Sequence, residues 1–182
     1  LDPLASGLLI VCTGKFTKQI NNIMVAEKEY TGNFTLGAVT PTYDLESTPE
    51  NQQSVDHITL EQIREAARSF IGNIMQYPPV YSAIKKAGTP LYELARRGEA
   101  VDLKARPVSI SSFEIRGWNS PVAEFKVSCS TGTYIRSLAH DLGRELGCGA
   151  YLSALRRTRI GDFKVQDAQT MKEFIGSLAH GS

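Results

Sequence analysis

Residues 123–129 alternate in a way that few folds accommodate: Ala123, Phe125, Val127 and Cys129 are apolar, and Glu124, Lys126 and Ser128 between them are polar. Side chains on a strand point to opposite faces with a period of two, so the segment predicts a strand with one buried and one wet face. Just beyond it, Gly132 supplies a turn, and Ile135, Leu138, Ala139, Leu142 and Leu146 recur at helical spacing up to Gly147. A strand, a glycine turn and a helix start carrying Tyr134 and Arg136 therefore follow one another within a short stretch. Val108 to Arg116 reads as a second strand, joined to the first through the turn formers Gly117-Trp118-Asn119-Ser120-Pro121. The pattern predicts strands and helices packed together in one domain.

The rest of the chain fits that plan. Lys28 to Leu36 alternates well enough for a strand and sets Lys28, Tyr30 and Gly32 on one side. Tyr30 is then either a half-buried core ring or a ring offered to a ligand. Residues 37–56, with Pro41 and Pro49, read as a long loop, and ordered loops of that length are usually functional. Thr59-Leu60-Glu61-Gln62 is a capping box, opening a helix whose apolar face is Leu60, Ile63, Ala66, Ala67, Phe70 and Ile71 and which Gly72 ends. Thr170-Met171-Lys172-Glu173 is a second capping box, starting a final helix. With 182 residues and no repeat or linker, the chain predicts one domain, large enough to bury a self-sufficient core.

The first residues, Leu1-Asp2-Pro3-Leu4-Ala5-Ser6-Gly7, precede the apolar run Leu8-Leu9-Ile10-Val11-Cys12. Proline fixes its own φ and pushes the residue before it out of the helical region, so Asp2 is expected on a loop feeding a buried strand, a carboxylate at the mouth of a core. After that strand, residues 13–17 open a predicted helix with Ile20, Ile23 and Met24 on one face. Gly14-Lys15 is not a phosphate loop, because the required earlier glycine and the following hydroxyl are replaced by Leu9 and Phe16. Cys12, Cys129 and Cys148 are odd in number and widely spaced, which favours reduced thiols in a cytoplasmic protein over a disulfide frame. His57, His140 and His180 form no ligand spacing with them, so no metal site is expected. No apolar stretch approaches the ~20 residues that span a bilayer, so no membrane partner is expected. The start on Leu1, in mid-motif and without methionine, leads us to expect an N-terminally incomplete chain.

Formal net charge is +1, but its distribution is uneven. Lys85, Lys86, Arg96, Arg97, Lys104 and Arg106 outnumber Glu93, Glu99 and Asp102, whereas every charge from Asp44 to Asp56 is acidic. Basic side chains interleaved with Tyr77, Tyr81 and Tyr92 suit looped or single-stranded nucleic acid, phosphates by charge and bases by stacking. They suit a solvated face and a tyrosine-rich loop packed on its own domain equally well. A further basic cluster, Arg156, Arg157 and Arg159, follows Leu155.

Taken together and in order, these stretches resemble the TruB-type tRNA pseudouridine synthases. The carriers are Leu1 to Leu9, which is similar to that family's catalytic aspartate motif; Lys28-Glu29-Tyr30 with Leu36-Gly37-Ala38-Val39-Thr40-Pro41-Thr42-Tyr43-Asp44; Pro78-Pro79-Val80-Tyr81-Ser82-Ala83-Ile84-Lys85; and Cys129 to Gly147 with Leu155-Arg156-Arg157. The resemblance implies a pseudouridine-synthase-like catalytic domain over 1–182, a mixed α/β (α+β) fold with a largely antiparallel sheet flanked by helices, with an RNA-gripping insertion at 76–106 and no separate C-terminal RNA-binding domain. It implies isomerisation of uridine to pseudouridine at position 55 in the tRNA T-loop, without metal or cofactor, by a cytoplasmic monomer that needs no protein partner. By the same resemblance Asp2 is the nucleophile, Tyr30 stacks on the target base and Arg136 is the ion-pair partner of Asp2. Tyr134 and Leu155 line the uridine pocket, and Lys85, Lys86, Arg106, Arg156 and Arg157 face the RNA. A non-catalytic RNA-binding or tRNA-folding module would use the same basic surface.

Overall fold

A computed structural model describes residues 2–79, 85–86, 89–90 and 103–179. In chain order its strands are β1 (Ser6–Gly7), β2 (Lys28–Leu36), β3 (Gly72–Gln76), β4 (Lys85–Lys86), β5 (Thr89–Pro90), β6 (Arg106–Asn119), β7 (Val122–Cys129), β8 (Ala150–Ile160) and β9 (Phe163–Lys164). The α-helices among the described residues are α1 (Ile20–Val25), α2 (Leu60–Arg68), α3 (Ile135–Glu145) and α4 (Met171–Ala179). The main sheet runs β1-β8-β2-β7-β6-β3, with β9 on β8, and only the β1–β8 pairing is parallel. The mixed, largely antiparallel sheet flanked by helices is thus present. Among the described residues no helix is long and apolar enough to cross a membrane.

The apolar half of the alternating segment lands as its pattern demands, with Ala123, Phe125, Val127 and Cys129 all buried on one face of β7, whereas Ser128, expected to face outward, is buried as well, near the end of the strand. Phe34 of β2 stacks on Phe125 with ring centroids 4.0 Å apart, and Phe113 of β6 meets both rings edge-on. Against this face lie Ile63 and Ala67 of α2 and Leu138, Ala139 and Leu142 of α3. Phe125→Ala is expected to lower unfolding free energy by about 3–5 kcal/mol in a urea titration, since it removes the ring that both other phenylalanines touch.

Several elements differ from the sequence expectation. The run Leu8–Cys12 is not a buried strand: β1 stops at Gly7, whose φ of +101° turns the chain away, and Leu9 and Val11 are 69% and 77% exposed. A run without alternation carries no register, and beyond Leu8, which bonds to Arg157, it joins no strand among the described residues. Residues 14–19 form a 3₁₀ helix leading into α1, and neither buries a side chain. Gly117 to Asn119, expected in a loop, extend β6, where Trp118 pairs with Ala123. Helix α2 ends at Arg68 rather than at Gly72, which instead opens β3. Its capping box is present, Thr59 Oγ1 accepting from Gln62 N and Gln62 Oε1 accepting from Thr59 N.

Candidate active site

Helix α3 begins where β3 ends, and one side chain makes the junction. Gln76, 2% exposed, donates through Nε2 to the Tyr134 carbonyl at 3.1 Å and accepts at Oε1 from the Tyr134 N–H at 2.8 Å. Tyr134 is the residue before the first turn and offers no side-chain cap of its own, so Gln76 satisfies a terminal group that would otherwise lack a partner. Ser137 adds a bond from Oγ to the Tyr77 carbonyl at 2.7 Å. The first turn of α3 is thereby fixed in rotation, and with it the direction of Arg136.

Arg136 points inward, with a side chain only 6% exposed, and lies between two carboxylates. Its Nη2 is 3.2 Å from Asp2 Oδ1, and its Nη1 is 3.6 Å from Asp44 Oδ2 and donates to the Thr42 carbonyl at 3.2 Å. A cation at a helix N-terminus opposes the helix dipole, and two anions beside it offset that cost. Asp44 is itself anchored: its Oδ1 accepts from Thr42 Oγ1 at 2.6 Å and from the Glu46 N–H at 2.9 Å. Tyr43 between them holds a φ of 63°, a left-handed conformation unusual for an aromatic residue, and its ring stacks on His140 of α3 at 4.0 Å. The loop at 37–56 is thus clamped to α3 at the level of Arg136.

The two carboxylates are not equivalent. Asp44 is 5% exposed at its side chain and Asp2 is 28% exposed, so Asp2 is the anion that an incoming molecule can reach. A small cavity opens there, lined by Asp2, Leu4, Ala5, Asp44, Leu152 and Leu155. Burial pushes the Tyr30 phenol above its ordinary range, with Cys129 and Asp2 adding to the rise and a hydrogen bond from Arg157 opposing it. Burial likewise raises Tyr134, against the nearby guanidinium groups of Arg106 and Arg136 and with Asp2 adding to the rise. Both phenols therefore stay protonated at neutral pH and present neutral rings around a carboxylate.

Asp2, Tyr30, Tyr134, Arg136 and Leu155, remote in sequence, thus share one site. Arg106 is exposed beside Tyr134, and Arg156 is exposed on β8. Arg157 is only partly exposed, its Nε donating to the Leu8 carbonyl at 2.9 Å. The side chains of Lys85 and Lys86, and most of the stretch 76–106, lie outside the described residues. Sequence reasoning missed Asp44, Thr42 and Gln76. A signal for the first existed: the long loop opens its acidic run with Asp44, two residues after a hydroxyl that can hold a carboxylate in a turn.

The chain is similar to known proteins in sequence and in fold. Residues 1–135 match the model of the TruB family pseudouridylate synthase N-terminal domain, and residues 136–180 match that of the tRNA pseudouridylate synthase B C-terminal domain. The second match includes α3 and β8, which here belong to the same sheet and core as the first. The chain is 49% identical over 178 residues to a tRNA pseudouridine synthase B of Flavobacterium johnsoniae, covering 98% of this chain and 78% of the relative. Its counterpart in Phocaeicola vulgatus is 47% identical over 174 residues, covering 96% and 74%. Among solved structures, a chain in a crystal structure of a Cbf5-Nop10-Gar1 complex superposes with a TM-score of 0.66 at 30% identity, over 90% of this chain. A chain in an H/ACA RNP bound to a substrate RNA containing 2′-deoxyuridine does so with a TM-score of 0.63 at 27% identity. This chain spans 39% and 38% of those two chains. On the family-model match over 1–135 and the identity to full relatives, the chain belongs to the TruB family of pseudouridylate synthases.

Proposed function

We propose that the protein isomerises uridine to pseudouridine in the T-loop of tRNA, at position 55, with Asp2 as nucleophile. The observation that carries the reading is the 3.2 Å approach of Arg136 to an accessible Asp2 at the edge of a cavity. A uridine stacked inside a folded loop presents no face to a carboxylate, so it is flipped out, and the Tyr30 ring takes the place of its lost stacking neighbour. Asp2 attacks the ribose or the base, the bond from ribose C1′ to N1 breaks, the freed base turns so that C5 bonds to C1′, and the bond to Asp2 breaks to return the free carboxylate. The C5 proton is lost and N1 gains one, which leaves composition unchanged and calls for no oxidant, reductant or cofactor. Leu155 and Tyr134 close the pocket against water while the base is detached. Arg106 and Arg156, with Lys85 and Lys86, supply the positive surface for the T-stem-loop, and the protein acts as a cytoplasmic monomer.

The test is tritium release from unmodified tRNA carrying tritium at uridine C5. Release is expected, and it is expected to disappear when uridine 55 alone is replaced by cytidine. Release that survives this replacement would overturn the T-loop assignment, and none from either RNA would overturn the enzymatic reading.

A further inference from the structure

Arg157 occupies a place that a surface phosphate contact would not need. On β8 it is the parallel partner of Gly7 and the antiparallel partner of Tyr30, so it stands between the segment carrying Asp2 and the strand carrying the ring. Its carbonyl accepts from the Leu8 N–H at 2.8 Å and its Nε donates to the Leu8 carbonyl at 2.9 Å, so both backbone polar groups of Leu8 end on this one residue. The approach is close enough that a Cβ on Gly7 would collide with the Arg157 carbonyl, and the φ of +101° at Gly7 independently excludes a larger residue. The same residue stands directly opposite Tyr30 across the β2–β8 pairing, so the two side chains are cross-strand neighbours. Leu8 is buried, and the turn closed by the Ala5 N–H on the Asp2 carbonyl at 2.9 Å lies just ahead of it. The arm from Asp2 to Leu8 is therefore short, turned at one end and pinned at the other.

We propose that Arg157 is a positioning residue: one planar guanidinium fixes the Asp2 arm and the Tyr30 ring relative to each other. This rests on the proposed function for the identity of the reaction, and it replaces the expected phosphate contact of Arg157, leaving the exposed Arg156 to that task. Arginine suits the role because its donors diverge in a rigid plane, one bonded to the arm and the others left to face the neighbouring Tyr30. Lysine concentrates its donors at a single point and cannot serve both.

The experiment compares Arg157→Lys, Arg157→Met and Arg156→Met in tRNA binding across a salt series and in single-turnover pseudouridine formation. Arg157→Met is expected to lower the chemical rate on the order of 100-fold, the scale of a small misplacement of reacting groups, with tRNA affinity and its salt dependence retained. Arg157→Lys is expected to lose roughly 10-fold on the same scale. Arg156→Met is expected to weaken binding and to reduce the salt slope by about one. In a Tyr30→Phe background, Arg157→Met is expected to cost less than in the native background, because the shared hydroxyl is already gone. A reduced salt slope with an intact rate in Arg157→Met, or full turnover in Arg157→Lys, would overturn the proposal. Costs that simply multiply in the Tyr30→Phe background would do the same. Absence of turnover in the unsubstituted protein would count against the proposed function instead, and hydrogen exchange without RNA then decides on Arg157. Faster exchange at the Leu8 amide in Arg157→Met supports the pinning, and unchanged exchange refutes it.

Discussion

Asp2→Asn is expected to abolish pseudouridine formation, with a loss on the order of 10⁴-fold or more, while the protein stays folded and still binds tRNA. The amide nearly matches the carboxylate in shape and its oxygen can still accept from Arg136, so the 3.2 Å contact survives in weakened form. What is lost is the charge and the lone-pair reactivity of the more accessible of the two carboxylates that line the cavity. Because the Asp2 side chain is 28% exposed, its conversion to an amide is expected to change the urea midpoint little. Tritium release and filter binding on the same preparation check both halves. Turnover retained by Asp2→Asn would remove Asp2 from the chemistry and move attention to Asp44.

The second large effect is expected from Arg136→Met, on stability as well as rate. The substitution leaves two carboxylates facing each other across an apolar side chain, one of them, Asp44, almost wholly buried. Breaking a buried ion pair from one side costs about 3–5 kcal/mol, because the remaining charge is left uncompensated. The loss is expected in urea unfolding together with turnover falling to background. Thr42 and the Glu46 N–H still hold Asp44 in place, so the protein is expected to fold under mild conditions. Adding Asp44→Asn to Arg136→Met is expected to restore part of the stability and none of the activity. Recovery of activity in the double variant would show that Arg136 acts only by neutralising Asp44.

How far the sequence reaches into this structure depends on what each residue signals locally. Strand β7 and helix α3 were legible because burial repeats with their own periods, two and about 3.6 residues, and both lie in the core. The meeting of Asp2 with Arg136 was reached through motif resemblance; no local period joins residues so far apart. Asp44 escaped because irregular loops have no periodicity, and its role depends on a turn closed by Thr42 and Ser47. Strand β8 escaped for the opposite reason: three arginines within it read as a basic cluster rather than as part of a strand. In the structure Arg159 meets Glu27 at 2.6 Å and Arg157 is engaged with Leu8, so those charges are satisfied within the sheet. The run Leu8–Cys12 misled because hydrophobicity alone does not provide a partner edge.

The pairing of Gln76 with Arg106 on neighbouring strands has a consequence for how such proteins can diversify. These two positions bracket the excursion between β3 and β6, and both converge on Tyr134, one through its peptide and the other beside its ring. The excursion hangs from a bracket whose two feet stand on the same helix start. Substitutions on exposed faces remote from these feet leave the helix start as it is, because Gln76, and Tyr77 through its bond from Ser137, hold it. A change at either foot, by contrast, reaches Tyr134 directly and, two residues on, Arg136.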